Sequence, residues 1–186
     1  MFEPWSLPTV ANIGGKDYPI DCDWRNILRI FSYMSDPELA EVIRWQIALT
    51  LFYEGEIPVK DRPAAMAYFA DFVCCGKKET GKPAPSLISW EQDGQIIIGE
   101  VNRVAGCEIR EKEFLHWWTF LSYFHAIGEG QLSFLVSLRQ KRLRGEKLQD
   151  WEQRYWQENR ELVDLQTRYT KAELAERERL NEMLGS

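Results

Sequence analysis

The stretch EFLHWWTFLSYFHAIGEG, residues 113 to 130, holds both histidines of the chain, two tryptophans and four other aromatics. It is the segment with the most groups able to ligate a metal, move a proton or stack on a cofactor. His116 and His125 stand nine positions apart. At about 100° per residue they project from opposite sides of one helix and cannot share a metal. No H-E-x-x-H pattern, G-x-S-x-G elbow, Walker A loop or G-x-G-x-x-G loop occurs. The 29 acidic residues form no cluster that stands out from a solvated face. Cys22, Cys74, Cys75 and Cys107 contain no C-x-x-C pair and read as reduced, small hydrophobes. No catalytic, cofactor or metal residue is therefore nominated, and an enzyme is not expected.

A packed core accounts for the stretch better. Leu115, Trp118, Leu121, Ser122 and His125 follow one helical face, and Phe114, Trp117, Phe120 and Phe124 occupy the sector beside it. A helix apolar nearly all round is central in a bundle or covered by a partner. Each indole N–H then needs an acceptor, and His116 should make a polar contact beside them.

The surrounding elements are helical after a short β start. TVANI and DYPI flank Gly14 and Gly15, the signature of a hairpin, with Pro19 at an edge. From Asp23, residues Trp24, Ile27, Leu28 and Phe31 fall at helical spacing. A second helix is expected from Asp36 and Pro37 to Gly55, burying Leu39, Val42, Ile43, Ile47 and Thr50 or Leu51. A third runs from Asp61 to Gly76. The polar stretch 77–86, KKETGKPAPS, reads as a mobile loop. Ser89 and Gln92 show capping-box spacing before a helix that Gly106 stops. The His-Trp-Trp helix ends at Gly128, and the next presents Phe134, Leu135 and Leu138 and stops at Gly145.

The segment 146–186 is different. It is charge-rich and steps Leu148, Trp151, Tyr155, Leu162, Leu165 and Tyr169 by threes and fours, interrupted at Glu158. This is a narrow seam with a heptad flavour. One continuous helix would span about 60 Å, with Thr170 and Glu173 spaced for a break and restart. Its seam needs a cover: the body, a second copy or another protein. The fold expected is mainly α, a helical bundle over 1–145 with a small N-terminal β-hairpin, plus a long charged C-terminal helix over 146–186.

Net charge is −6 and the isoelectric point is near 5.1, which argues against a nucleic-acid binder. The basic run RQKRLRGEK, residues 139 to 147, reads as cations in the last helical turn before Gly145. No apolar run approaches the ~20 residues that span a bilayer, and MFEPWSLPTV lacks the layout of a signal peptide. A cytoplasmic protein is expected, with no membrane partner.

The order YPIDCDWR (18–25), LFYEGEIP (51–58), SWEQD (89–93), LHWWTFL (115–121) and VSLRQKR (136–142), after the hairpin, resembles the gene-product-fifteen family of tailed-phage proteins. The resemblance spans roughly residues 8 to 165, and the His-Trp-Trp segment is its most specific part. It implies a tail assembly chaperone in the host bacterial cytoplasm. The expected partner is the tape measure protein, a long, largely helical, hydrophobic chain that must stay soluble until tail-tube subunits, a further expected partner, polymerise around it. The expected contact residues are Trp117, Phe120, Phe124, Trp151 and Trp156, in the helix-in-groove mode. Self-association through the C-terminal helix is open. A structural tail or connector subunit is the alternative reading, and an enzyme without a recognisable motif is a further one.

Overall fold

The computed structural model describes residues 2, 3, 5–77 and 85–184. Most of the loop expected at 77–86 lies outside the described residues. The fold is mainly α with one small hairpin. Strands β1 (Val10–Ile13) and β2 (Lys16–Pro19) pair antiparallel, Ile13 opposite Lys16. Gly14 and Gly15 make the turn with φ of 61° and 83°. Both central residues of this tight turn need positive φ, which glycine adopts without strain.

Helix α1 (Trp24–Met34) starts where Asp23 accepts the Arg25 N–H at 2.9 Å. Helix α2 (Glu41–Phe52) begins five residues after Asp36. The Asp36 carboxylate instead closes a separate turn, accepting the Glu38 N–H at 2.9 Å. Arg44 reaches back to the carbonyls of Leu39 and Met34, which spaces α1 from α2. The buried face of α2 is also not the expected one. Ala48, Leu49 and Phe52 enter the core, whereas Val42 is 72% and Ile43 42% exposed. The helix carries two apolar stripes. The one with the aromatics, Trp45 and Phe52, wins the core because rings bury the most area.

Helices α3 (Arg62–Val73) and α4 (Gly94–Ala105) follow, and Gly106 ends α4 in the left-handed conformation, as expected. The Ser89–Gln92 spacing forms a turn before α4, not its cap, and Gly94 is the first residue of the helix. Helix α5 (Trp117–His125) is shorter than the apolar run suggested. It lies against α1 and α4 in the centre of the core. Helix α6 (Gln131–Leu143) stops before Gly145, which has φ of 67°.

The continuous C-terminal helix does not form. The chain breaks into α7 (Asp150–Glu158), α8 (Arg160–Val163), an extended run over 164–170, and α9 (Lys171–Leu184). The carbonyls of Glu161, Leu162, Val163 and Asp164 are taken by the side chains of Gln92 and Arg139, so they cannot accept from the next helical turn. The restart at Thr170 is real: its N–H and Oγ1 meet the Glu173 carboxylate, and its Oγ1 accepts the Glu173 N–H. The first part of the seam is covered by the body. Trp151 stacks on Phe134 at 5.6 Å and Tyr155 meets the same ring edge-on at 4.9 Å. Val163 is fully buried against Leu135 and Leu138.

Candidate partner-binding site

The His-Trp-Trp segment works as a junction. His116 is the N-cap of α5, not a residue within it. Its Nδ1 accepts the Trp118 N–H at 3.0 Å and its Nε2 faces the Pro8 carbonyl at 3.0 Å. A carbonyl can only accept, so the proton sits on Nε2 and the ring is neutral. Burial pushes His116 below its ordinary pKa. Cys22–Trp24 pairs with Leu115–Trp117: Trp24 N–H donates to Leu115 O at 3.0 Å and Trp117 N–H to Cys22 O at 2.8 Å. The start of α1 is thereby clasped to the start of α5. The indoles of Trp117 and Trp118 donate to Val73 and Phe72 carbonyls at 3.0 and 2.8 Å, ending α3 against the same node. The Trp24 Nε1 is buried without a hydrogen-bond partner among the described residues.

The other quoted segments meet the same scaffold. Asp21 N–H donates to Phe52 O and Glu54 N–H to Pro19 O, joining YPIDCDWR to LFYEGEIP. Trp90 packs on Trp117, Phe120 and Phe124. Asp93 of SWEQD grips Arg139 of VSLRQKR in a buried ion pair. Arg139 is therefore a structural fork rather than a solvated last-turn cation, and the sequence alone did not signal it.

Two of the five expected contact residues are corrected by this arrangement. Trp117 is 1% exposed and Phe120 fully buried, because α5 is central and its rings stack on each other and on Trp24. They cannot present a surface to a partner. Phe124 is half-buried against Trp90 at 5.0 Å. Trp156 is half-buried, with the guanidinium of Arg142 3.9 Å over its ring and that of Arg160 at 5.1 Å. Trp151 is 55% exposed. The five residues thus do not form one patch.

A family comparison places the scaffold. The chain matches the model of the family described as Bacteriophage Gp15 protein over residues 6–165. It belongs to that family. No curated protein and no solved structure matches it. All five segments quoted from this family member lie within the matched region, and each makes contacts between elements. The extended run after residue 165 and α9 lie beyond the match.

The apolar surface of this Gp15-family protein flanks α1 on both sides. On one side, α1 and α2 enclose a groove of about 470 Å³ walled by Tyr33, Ile43, Ile47, Leu51 and the Arg29 side chain. Val42, also on α2, is exposed. On the other, a trough of about 940 Å³ is lined by Phe31, Met34, Ile88, Trp90 and Leu165, and bridged by Arg168. Arg168 pairs with Glu91 and donates to the Ser32 carbonyl at 3.1 Å and Ser35 Oγ at 3.2 Å. The groove was missed because its residues, Ile43 and Ile47, were assigned to the core. Among the described residues no cluster of three or more His, Cys, Asp or Glu could hold a metal. No helix among them is long and apolar enough to cross a membrane.

Proposed function

We propose that this phage protein is a tail assembly chaperone of the host cytoplasm, binding the tape measure protein and keeping it soluble. The observation that carries the reading is the α1–α2 groove, a concave apolar surface on a protein with net charge −6. The interior already has its own cover, so Ile43, Ile47 and Val42 are surplus to folding. Exposed apolar surface of this kind marks an interaction site. A groove between two helices accepts one amphipathic helix by its apolar face, and the expected client is rich in such helices. Weak sites repeated along a long client gain by multivalency. The acidic surface keeps the loaded client dispersed. Trp151, exposed on α7, offers a second contact. The role is binding and not catalysis, and neither nucleic acid nor membrane enters it.

The test is co-expression with the tape measure protein encoded nearby. The client should appear in the soluble fraction and co-purify. An Ile43→Asp variant, which stays folded because the side chain faces solvent, should lose the client. An insoluble client beside well-folded wild type would remove the proposal, and mature virions should then be searched for the protein as a structural component.

A further inference from the structure

The way the chain is fastened changes after Val163. Up to that residue the C-terminal segment is sealed: Val163 is fully buried, and Arg139 holds the carbonyls of Leu162 and Val163 at 2.8 and 2.7 Å. Residues 165–170 instead run extended along the trough beside α1, with 166–169 exposed. Polar ties at the surface hold them. Gln92 Oε1 accepts the Gln166 N–H at 3.0 Å, Arg168 pairs with Glu91, and the same guanidinium donates to Ser32 O and Ser35 Oγ. The Arg168 and Glu91 side chains are 40% and 50% exposed, and an ion pair so wetted contributes little. A segment held in this way opens without unfolding the body beneath it.

The fit is also loose. Leu165 is the one apolar side chain that this run contributes to the lining, against Leu28, Phe31, Met34, Ile88 and Trp90 on the body. With the run in place, a trough of about 940 Å³ still stands open, large enough for a ligand of its own.

We infer that residues 165–170 are a displaceable strap, and that the trough takes in their place an extended apolar segment of a partner protein that carries a cation. The strap itself displays the chemistry. Gln92 donates to the Asp164 carbonyl and accepts the Gln166 N–H, so it reads backbone and is indifferent to side chains. The cation stands on Glu91, which is the one charged lining residue once Arg168 is lifted away. A segment with more apolar side chains buries area that the strap leaves open, and this lets it win the site. The strap competes from within the same chain, at the high effective concentration of a short tether, and so keeps weak ligands out. The surface is separate from the α1–α2 groove, and the inference stands or falls separately from the tape measure reading.

Fluorescence polarisation with a labelled synthetic peptide of residues 163–170 carrying Gln166→Leu tests it. Gln166 lines the trough, so leucine there adds the apolar contact that the strap lacks. The full chain with Leu165→Ser and Arg168→Ala has a loosened strap. It should bind this peptide more tightly than wild type by roughly tenfold or more, with circular dichroism confirming that it is folded. Adding Glu91→Lys to that variant should weaken binding severalfold, and a peptide that also carries Arg168→Glu should restore it. In wild type, the amides of 166–170 should exchange with deuterium well before those of α5. Absence of binding to the loosened variant overturns the inference. So does equal binding to both proteins, which places the peptide elsewhere. A Glu91→Lys change without effect, or one that the reversed peptide does not rescue, removes Glu91 from the site and overturns it as well. Exchange at 166–170 as slow as in α5 means that the strap opens only with the whole body, which also overturns it.

Discussion

Arg139 and Asp93 face each other in a two-pronged ion pair sealed from solvent, Nη1 to Oδ2 at 2.7 Å and Nη2 to Oδ1 at 2.8 Å, with side chains 4% and 0% exposed. The remaining donors of Arg139 are spent on carbonyls of Val163, Leu162 and Leu87 at 2.7 to 2.9 Å. One guanidinium therefore ties α6, the start of α4, the 85–93 segment and the end of α8. Removing one partner leaves a buried charge uncompensated, which costs roughly 3–5 kcal/mol. Asp93→Ala should lower the urea midpoint accordingly. Arg139→Lys should fail to rescue, because an ammonium cannot reproduce the planar fork. A loss below about 1 kcal/mol, the range of an exposed pair, would show that the pair is not the organising contact.

His116 makes stability depend on pH. Its folded pKa is depressed by burial. The unfolded chain therefore binds the proton first as pH falls through about 6.5, and stability is lost downward from there. Protonation would also turn Nδ1 into a donor facing the Trp118 N–H. The slope contributed by this one site is at most about 1.4 kcal/mol per pH unit. Asn at this cap keeps an acceptor without a titrating proton. His116→Asn should flatten the denaturation midpoint between pH 7 and pH 5. An unchanged slope in the variant would assign the effect to other groups.

The two tryptophans that looked alike in sequence should behave oppositely. Trp117, buried and hydrogen-bonded to Val73, should cost roughly 3–5 kcal/mol on replacement by Ala. Trp151 is half open and stacks on one ring, so Trp151→Ala should cost no more than about 1.5 kcal/mol. Equal losses would contradict the placement of α5 at the centre.

Gln92 holds the C-terminal segment. Its Nε2 donates to the carbonyls of Glu161 and Asp164 at 2.8 and 2.9 Å, and its Oε1 accepts the Gln166 N–H at 3.0 Å. Gln92→Ala should leave these groups partly unsatisfied, at about 1–3 kcal/mol. Amide exchange should speed up over residues 160–168 while α5 keeps its protection. Uniform acceleration across the chain would mean that the segment unfolds only with the whole body.

Much of the architecture was written locally. The Gly14–Gly15 turn, the Asp23 cap, the stops at Gly106 and Gly145 and the Thr170–Glu173 box each act within a few residues, so their residue types suffice. The order of the five quoted segments also placed the chain in its family. What the tertiary structure decided were the choices between equal local options. Helix α2 offers two apolar stripes, and only packing against Phe69 and Phe72 selects Phe52 over Ile47. His116 could sit within a helix or cap one, and the choice follows from Pro8, 108 residues away. The seam after residue 146 suits one long helix, but Gln92 and Arg139 compete for its carbonyls and break it. Trp117 and Phe120 read as available rings until α1, α3 and the 85–93 segment close over them. In each case the deciding partner is distant along the chain, and burial and hydrogen-bond satisfaction act through space rather than along the sequence.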